Sequence, residues 1–247
     1  MQFNMDKWVQ LNNHVAGRDK IARFVQYASR AVWDTLEKKD LSPALTDNFK
    51  TLEYILSTFR KLLRFGKCLD VFYASLRTIH YPDLAIRVTL TLGKLSQALF
   101  LLADHFMWLA RTGLFKSINT KKWSKFANKY WLLSIIMNLC RDVYEIYRLL
   151  DLHKASVKSG ISRCNAVPMR LNSPRELSRI ALHSYAMILG HKDVFVDTVK
   201  NVCDFFIPLT ALGYTNMSPR TIGLLGAISS LAGLYALIEP KAKLTPA

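Results

Sequence analysis

The sequence lacks the patterns that usually mark a catalytic or metal-binding protein. It has no phosphate-binding glycine loop, no nucleophile elbow, no zinc-protease helix motif and no zinc-like spacing of cysteine and histidine. Asp104 and His105 come nearest to a catalytic dyad, but adjacent residues of a helix do not face each other. Only an enzyme assembled from distant residues would leave no such pattern. We therefore predict a protein that is not an enzyme and that uses no cofactor and no metal.

Paired cysteines and a secretory leader are missing as well. The four cysteines are widely scattered and form no CxxC pair, which is typical of reduced thiols in a cytosol-facing protein. Residues 1–20 contain no apolar segment of the kind that a secretory signal peptide needs. We expect no disulfide framework and no secretory route.

Acidic residues are few for a chain so rich in lysine and arginine. Aspartate and glutamate total 18 against 34 basic residues, which gives a formal net charge of +16, yet 51% of the residues are hydrophobic. Proteins that bind nucleic acid usually carry their cations on polar surfaces, whereas here the cations stand beside long apolar runs. This combination favours an anionic phospholipid membrane as the partner and makes nucleic acid the weakest alternative.

Strand signals are also nearly absent, and helical periodicity takes their place. The chain has no Asn-Gly or Asp-Gly hairpin turn and few alternating runs. The periodicity predicts an all-α, membrane-associated helical bundle with amphipathic helices and a C-terminal transmembrane helix. The expected helices cover residues 6–38 with a bend at Gly17, 43–80, 84–110, 120–152, 173–190, 191–207 (ended by Pro208) and 221–238.

Composition divides the chain into three regions. Residues 1–153 form an N-terminal region of amphipathic helices. Residues 154–173 lose the helical periodicity and gain serine, glycine, proline and basic residues, which predicts a linker. Residues 174–247 hold the C-terminal helices, including the predicted transmembrane segment 221–238.

One basic stretch, from Arg60 to Lys67, contains four cations and no acid. A helical projection places its cations Arg60, Arg64 and Lys67 opposite an apolar face, with Lys61 at the flank. Such a helix is expected to lie in the headgroup plane of a membrane, with its cations reaching the phosphates. An ordinary surface helix that packs its stripe on a protein core is the alternative. The residues of the apolar face are Phe59, Leu62, Gly66, Leu69, Tyr73 and Leu76.

The segment Ile222–Ile238 carries no charge and is just long enough to span a bilayer. Small residues recur four positions apart in it, which lets another helix approach closely; the two pairs are Gly226 with Ser230 and Ser229 with Gly233. The sequence therefore predicts a transmembrane helix over 221–238.

A second long apolar segment, residues 84–110, is interrupted by Arg87, Lys94 and Asp104. Charges near the centre of a bilayer cost roughly 2.5–3.5 kcal/mol each on insertion scales. The segment is either a spanning helix whose charges are shielded by partners or a deeply seated amphipathic helix, and the two alternatives stay open.

Four strings, RKLLRFGK, YWLLSIIMNLCRDVYEI, VKNVCDFFIPLTALGY and SPRTIGLLGAISSLAGLYALI, occur in this order along the chain. In order and spacing they resemble the peroxin-eleven family of peroxisomal membrane elongation factors, and the resemblance covers nearly the whole chain. It implies a protein of the peroxisomal membrane whose N-terminal region faces the cytosol. It also implies that the protein elongates and remodels the membrane and promotes peroxisome fission and proliferation.

The resemblance implies partners and regional roles as well. Family members form homo-oligomers and engage fission adaptors that recruit a dynamin-related GTPase. The segment 60–79 would insert into the outer leaflet, and copies clustered through small-residue contacts would bend the membrane. Residues 193–238 would carry targeting and bind the import receptor for peroxisomal membrane proteins, and the linker 154–173 would be variable. A pore for small solutes, with Arg87, Lys94 and Asp104 facing water, is the alternative function.

Overall fold

The computed structural model describes residues 2–113, 115, 117–161 and 191–245, and all the regular secondary structure of these residues is helical. The predicted all-α class is confirmed. A single 3-10 turn follows the last helix at Pro240–Ala242. The helices are α1 (Gln2–Asn13), α2 (Val15–Lys38), α3 (Pro43–Leu63), α4 (Lys67–Thr78), α5 (Leu84–Arg111), α6 (Thr120–Ile161), α7 (Lys192–Ala211) and α8 (Pro219–Ile238).

Two of the helices expected to be continuous are interrupted. The break between α1 and α2 lies at His14, whose backbone is extended (φ −91°, ψ 131°), and not at Gly17. Gly17 instead makes room for the end of α1, because a Cβ there would lie 1.9 Å from the carbonyl oxygen of Leu11. The expected helix 43–80 is divided by Gly66, which is left-handed at φ 80°, a conformation that glycine adopts at little cost.

Two helices end later than the sequence predicts. Helix α6 runs to Ile161 and so includes the first residues of the predicted linker. Helix α7 passes Pro208 and ends at Ala211, with Leu212 N–H donating to the Pro208 carbonyl at 3.0 Å. The rest of the predicted linker and the expected helix 173–190 lie outside the described residues.

The described helices close a ring. Helix α2 packs against α3 on one side and α8 on the other, α5 packs against α6, α6 against α7, and α7 against α8. The ring closes where α3 meets α5, and α4 lies against α5. Tyr27, Ile207 and Ile222 form a small apolar core where α2, α7 and α8 meet. Thus the N-terminal and C-terminal regions pack together through α2 and α6.

Residue burial is the reverse of that in a water-soluble bundle. Asp104, Asp142 and Asn201 are among the most buried side chains, while large apolar residues on every helix from α2 to α8 are exposed. Soluble proteins bury charged groups rarely and do not surround themselves with apolar side chains. Helices α5 and α8 are also long and apolar enough to cross a membrane. The ring therefore has a polar interior and an apolar exterior.

The small residues of α8 face α2 of the same chain. A Cβ on Gly223 would lie 2.6 Å from the Ala31 nitrogen, and one on Gly226 would lie 2.3 Å from the Tyr27 ring. The side chains of Ser229 and Ser230 are fully buried. Because α2 occupies this face, it is not free to cluster copies of the protein as the sequence analysis supposed. Any contact between copies has to use another surface.

We expect Gly223→Ala to destabilise the protein, because the added methyl group meets backbone atoms that cannot rotate away. Overpacking of this kind costs about 1–3 kcal/mol, which corresponds to a fall in Tm of about 3–10 °C for a chain of this size. Thermal unfolding of the detergent-solubilised protein measures it. Gly233→Ala is the matched control, since its Cβ would meet only the flexible end of Lys20 at 3.1 Å. Equal Tm values for the two variants would contradict the close approach of α2 and α8.

Candidate functional site

The apolar face predicted on residues 59–76 lies on the outside of the ring. Leu69 is 71% exposed and Tyr73 59%. Phe65, Phe72 and Ile79, also exposed, extend the same surface along α4. We call this surface the outer apolar face; the residues predicted for it that are exposed are Phe59, Leu62, Gly66, Leu69, Tyr73 and Leu76.

The cations of the same segment point the other way, into the ring. Arg60 and Lys61 are only 8% and 9% exposed, and Arg64 is half-buried. Lys67 alone among the four lies at the surface. The expectation that all four cations reach the lipid phosphates is therefore wrong for Arg60 and Lys61. The helical projection of this segment separated the apolar face from the basic face correctly. It assigned the basic face to the membrane, whereas in the structure that face points into the ring.

The buried cations are held by two carboxylates. Arg60 donates from Nε to Asp19 Oδ1 at 3.0 Å and from Nη1 to Gln26 Oε1 at 2.8 Å. Lys61 and Arg64 both pair with Asp104 of α5, whose side chain is 1% exposed. Burial alone would raise the pKa of Asp19, but Arg60 and Arg64 outweigh it and hold that pKa below its ordinary value. These pairs tie α2, α3 and α5 together.

The one acidic charge of α5, Asp104, is thus shielded from within the chain. Asp104, which interrupts the predicted apolar segment, is neutralised by Lys61 of α3 and by Arg64, the residue that follows α3. A buried charge without such partners is expensive in a low-dielectric setting. The shielding that a spanning helix needs is supplied by α3, whose basic face has this role in place of a contact with lipid.

A further ion pair joins α2 to α7. Arg23 pairs with Asp204, both largely buried, and its guanidinium lies 5.5 Å from the ring centre of Tyr27 and 5.9 Å from that of Trp131. Sequence analysis missed this pair. A signal was available, since polar residues recur in α2 at helical spacing, at Asp19, Arg23, Gln26, Arg30 and Asp34.

The inner faces of the ring enclose a polar cavity of about 430 Å³. Basic side chains in its lining outnumber the acidic ones, which are Asp19, Asp104 and Asp204. Burial and the neighbouring Arg23 lower the pKa of Lys20, which lines this cavity, to about 7. The interior is therefore polar and lined mainly by basic side chains.

A second cavity, of about 260 Å³, adjoins the first toward the end of α8. The two share the lining residues Lys20, Gln97, Asn138 and Lys200. Of the three charges assigned to a pore, Asp104 lines the first cavity and Lys94 the second, while Arg87 lines neither. Within the described residues no group of three or more histidine, cysteine or acidic side chains could hold a metal ion.

Comparison with known proteins gives the family. Residues 5–238 match the family model described as "Peroxisomal biogenesis factor 11 (PEX11)". The chain is 32% identical to "Peroxisomal membrane protein 11B" of Homo sapiens, covering 98% of this chain and all of that protein, and 32% identical to "Peroxisomal membrane protein 11A" of Mus musculus, covering 97% and 99%. "Peroxisomal membrane protein 11E" of Arabidopsis thaliana is 27% identical over 94% of this chain and 91% of its own. No solved structure matches the chain. The chain belongs to the PEX11 family of peroxisomal biogenesis factors, which confirms the resemblance seen in its sequence.

Proposed function

We propose that this protein resides in the peroxisomal membrane and elongates and remodels it, and so promotes peroxisome fission and proliferation. The observation that carries the proposal is the outer apolar face, a continuous exposed apolar surface on α3 and α4. Family membership and the names of the relatives support the location. The two candidate spans, α5 and α8, support attachment to a bilayer.

The outer apolar face has the chemistry of a membrane wedge. Burying apolar surface gains roughly 25 cal/mol per Å², so exposed side chains such as Leu69 and Phe72 favour the acyl chains over water. A helix buried roughly 5–10 Å into one leaflet expands that leaflet relative to the other. The break at Gly66 lets α4 take its own angle relative to α3. Many copies inserted from one side would curve the membrane into a tubule.

Electrostatic attraction to anionic lipids has a smaller role in this arrangement. Arg60 and Lys61 are occupied inside the ring, which leaves Lys67 and Arg77 as the exposed cations beside the outer apolar face. Arg77 lies over the ring of Tyr73, 4.8 Å from its centre, a position suited to the headgroup level. Insertion of α4 into the membrane would therefore be driven mainly by burial of the outer apolar face.

The finer parts of the proposal rest on the family. We infer that the N-terminal region faces the cytosol, where the wedge would enter the outer leaflet. The proposed partners are the anionic phospholipid membrane, further copies of this chain, fission adaptors with a dynamin-related GTPase, and the import receptor for peroxisomal membrane proteins. Nucleic acid is not among them.

A pore for small solutes is the second candidate, and one observation favours it. A polar cavity lies inside a ring of helices whose exterior is apolar, which is the arrangement that a water-filled path through a membrane requires. The excess of cations in the lining would favour anions. Lys20 and Lys200, which line both cavities, replace Arg87 among the candidate lining residues.

We expect Leu69→Glu, and likewise Leu62→Glu, to abolish tubulation of anionic liposomes by the purified protein. A carboxylate on the outer apolar face would have to be buried among acyl chains, which insertion scales penalise by several kcal/mol. Electron microscopy of the liposomes measures it. Asn48→Glu, at an exposed polar position of α3, adds the same charge and should leave tubulation intact. Normal tubules with Leu69→Glu would refute the wedge.

Removing the inner and outer cations should have different effects. Arg60→Ala leaves Asp19 buried without its main partner, and we expect it to lower the free energy of unfolding by about 3–5 kcal/mol. Lys67→Ala with Arg77→Ala should leave stability unchanged but weaken binding to anionic liposomes and reduce its salt dependence. Sedimentation with liposomes at two salt concentrations, together with thermal unfolding, separates the effects. An Arg60→Ala protein of unchanged stability would contradict the inward placement of this face.

If the ring of helices conducts ions, anions should carry most of the current, because basic side chains outnumber acidic ones in the cavity lining. The reversal potential of the reconstituted protein in a planar bilayer under a potassium chloride gradient measures the preference. Lys20→Gln with Lys200→Gln should weaken the anion preference and so move the reversal potential toward that of a non-selective path. Lys192→Gln, at an exposed position of α7 that lines neither cavity, should not change it. Absence of conductance from protein shown to be inserted would rule out this second function.

A further inference from the structure

The second cavity has a lining that is unusually rich in cations. Lys20, Arg141, Lys200 and Lys243 line it together with Lys94, and Asp197 is the only acid among its lining residues. That carboxylate is already engaged, since it pairs with Lys200 and accepts from Asn201 Nδ2 at 3.2 Å. The lining of this cavity therefore has more basic than acidic side chains.

Arg141 is the feature that points to a ligand. Its side chain lines the cavity and is only 5% exposed. Its Nε and Nη2 atoms are buried and have no hydrogen-bond partner within the described part of the chain. Buried guanidinium groups are almost always paired, because burial removes them from water. Two unused donors of one planar group, side by side, match the spacing of two oxygens on one anion.

The neighbouring Asp142 does not serve as that anion. Successive residues of a helix point in different directions, and Asp142 is turned toward α7, where its Oδ2 accepts from Asn201 Nδ2 at 2.7 Å. Burial and the nearby Asp197 raise the pKa of Asp142 above its ordinary value. Asp142 is therefore a weaker anionic partner for Arg141 than an ordinary carboxylate would be.

We propose that this cavity binds a phosphate group, with Arg141 as its bidentate ligand and Lys20, Lys200 and Lys243 completing the charge. Cations converging from α2, α6, α7 and the segment after α8 suit a tetrahedral anion with several oxygens better than a planar carboxylate. The cavity, at about 260 Å³, has room for a phosphate ester and part of the group that it is attached to. This site does not depend on the membrane-remodelling activity.

The phosphate could be free or part of a lipid. The cavity lies at the end of α8, beside Gly233 and Leu237 and the residues that follow the helix. If α8 spans, this end lies at headgroup level, where a phosphomonoester lipid would present the same group. Arg141 and the lysines would bind the phosphate group in the same way whether it belongs to a free compound or to a lipid. The experiment below distinguishes these two sources.

The test uses the full-length protein in an uncharged detergent, with Tm measured at constant ionic strength. Inorganic phosphate probes the free source and short-chain phosphatidic acid the lipid source, with sodium chloride and short-chain phosphatidylcholine as blanks. A ligand that binds only the folded state raises Tm as its concentration exceeds Kd. We expect a saturable rise with at least one phosphate probe and none with the blanks.

Arg141→Gln should weaken that response at least tenfold, and Arg148→Gln, an exposed arginine two turns further along α6, should not change it. Without ligand, Arg141→Gln should be no less stable than the original protein, since it removes two buried donors that have no hydrogen-bond partner within the described residues. Lys20→Gln gives a second variant of the same site. A rise with phosphatidic acid alone assigns a lipid headgroup, and a rise with inorganic phosphate assigns a free phosphate compound. No rise with either probe, or an equal rise in Arg141→Gln, overturns the site.

Discussion

Buried ion pairs between helices are the constraint on which the rest of this structure depends. Arg23 with Asp204, Arg60 with Asp19, and Lys61 with Asp104 join α2, α3, α5 and α7 across the interior. Such pairs contribute little net stability, because desolvation offsets their attraction, but a mispaired arrangement is costly. They therefore select one rotation for each helix. Once the polar faces are turned inward, the apolar faces have to lie outside.

Helix α8 satisfies this constraint although its segment from Ile222 to Ile238 carries no charge. Its glycines and serines let α2 approach until Tyr27 covers Gly226 and Gly223 meets the backbone of α2. That approach brings Arg23 close to Asp204 of α7, which also packs against α8. The close approach of α2 to the small residues of α8 and the ion pair between Arg23 and Asp204 therefore require the same placement of α2. The predicted small-residue face serves the fold of one chain before it can serve any assembly.

Periodicity predicted the helices well, because the spacing of apolar residues is local information. It did not reveal which face of a helix points inward. The projection of residues 59–76 separated Leu69 from Arg60 correctly, yet the choice between lipid and protein for the basic face depends on Asp19 and Asp104, which are distant in sequence. The break at Gly66 was missed for a similar reason, since glycine is compatible with both a continuous helix and a left-handed turn. The cavities and Arg141 depend on the packing of several helices and have no local signal.

An inward basic face changes how a strongly basic protein would bind a membrane. If the cations of the segment from Arg60 to Lys67 lay on the lipid, attraction to headgroups would dominate and the apolar residues would follow. In the structure the order is reversed, because Arg60 and Lys61 are used to neutralise carboxylates and the surface that remains is apolar. Burial of that surface depends little on lipid charge or salt, whereas contacts through Lys67 and Arg77 depend on both. If this face inserts as we propose, its depth of insertion would therefore depend on the outer apolar face, and its sensitivity to anionic lipid on the few cations beside it.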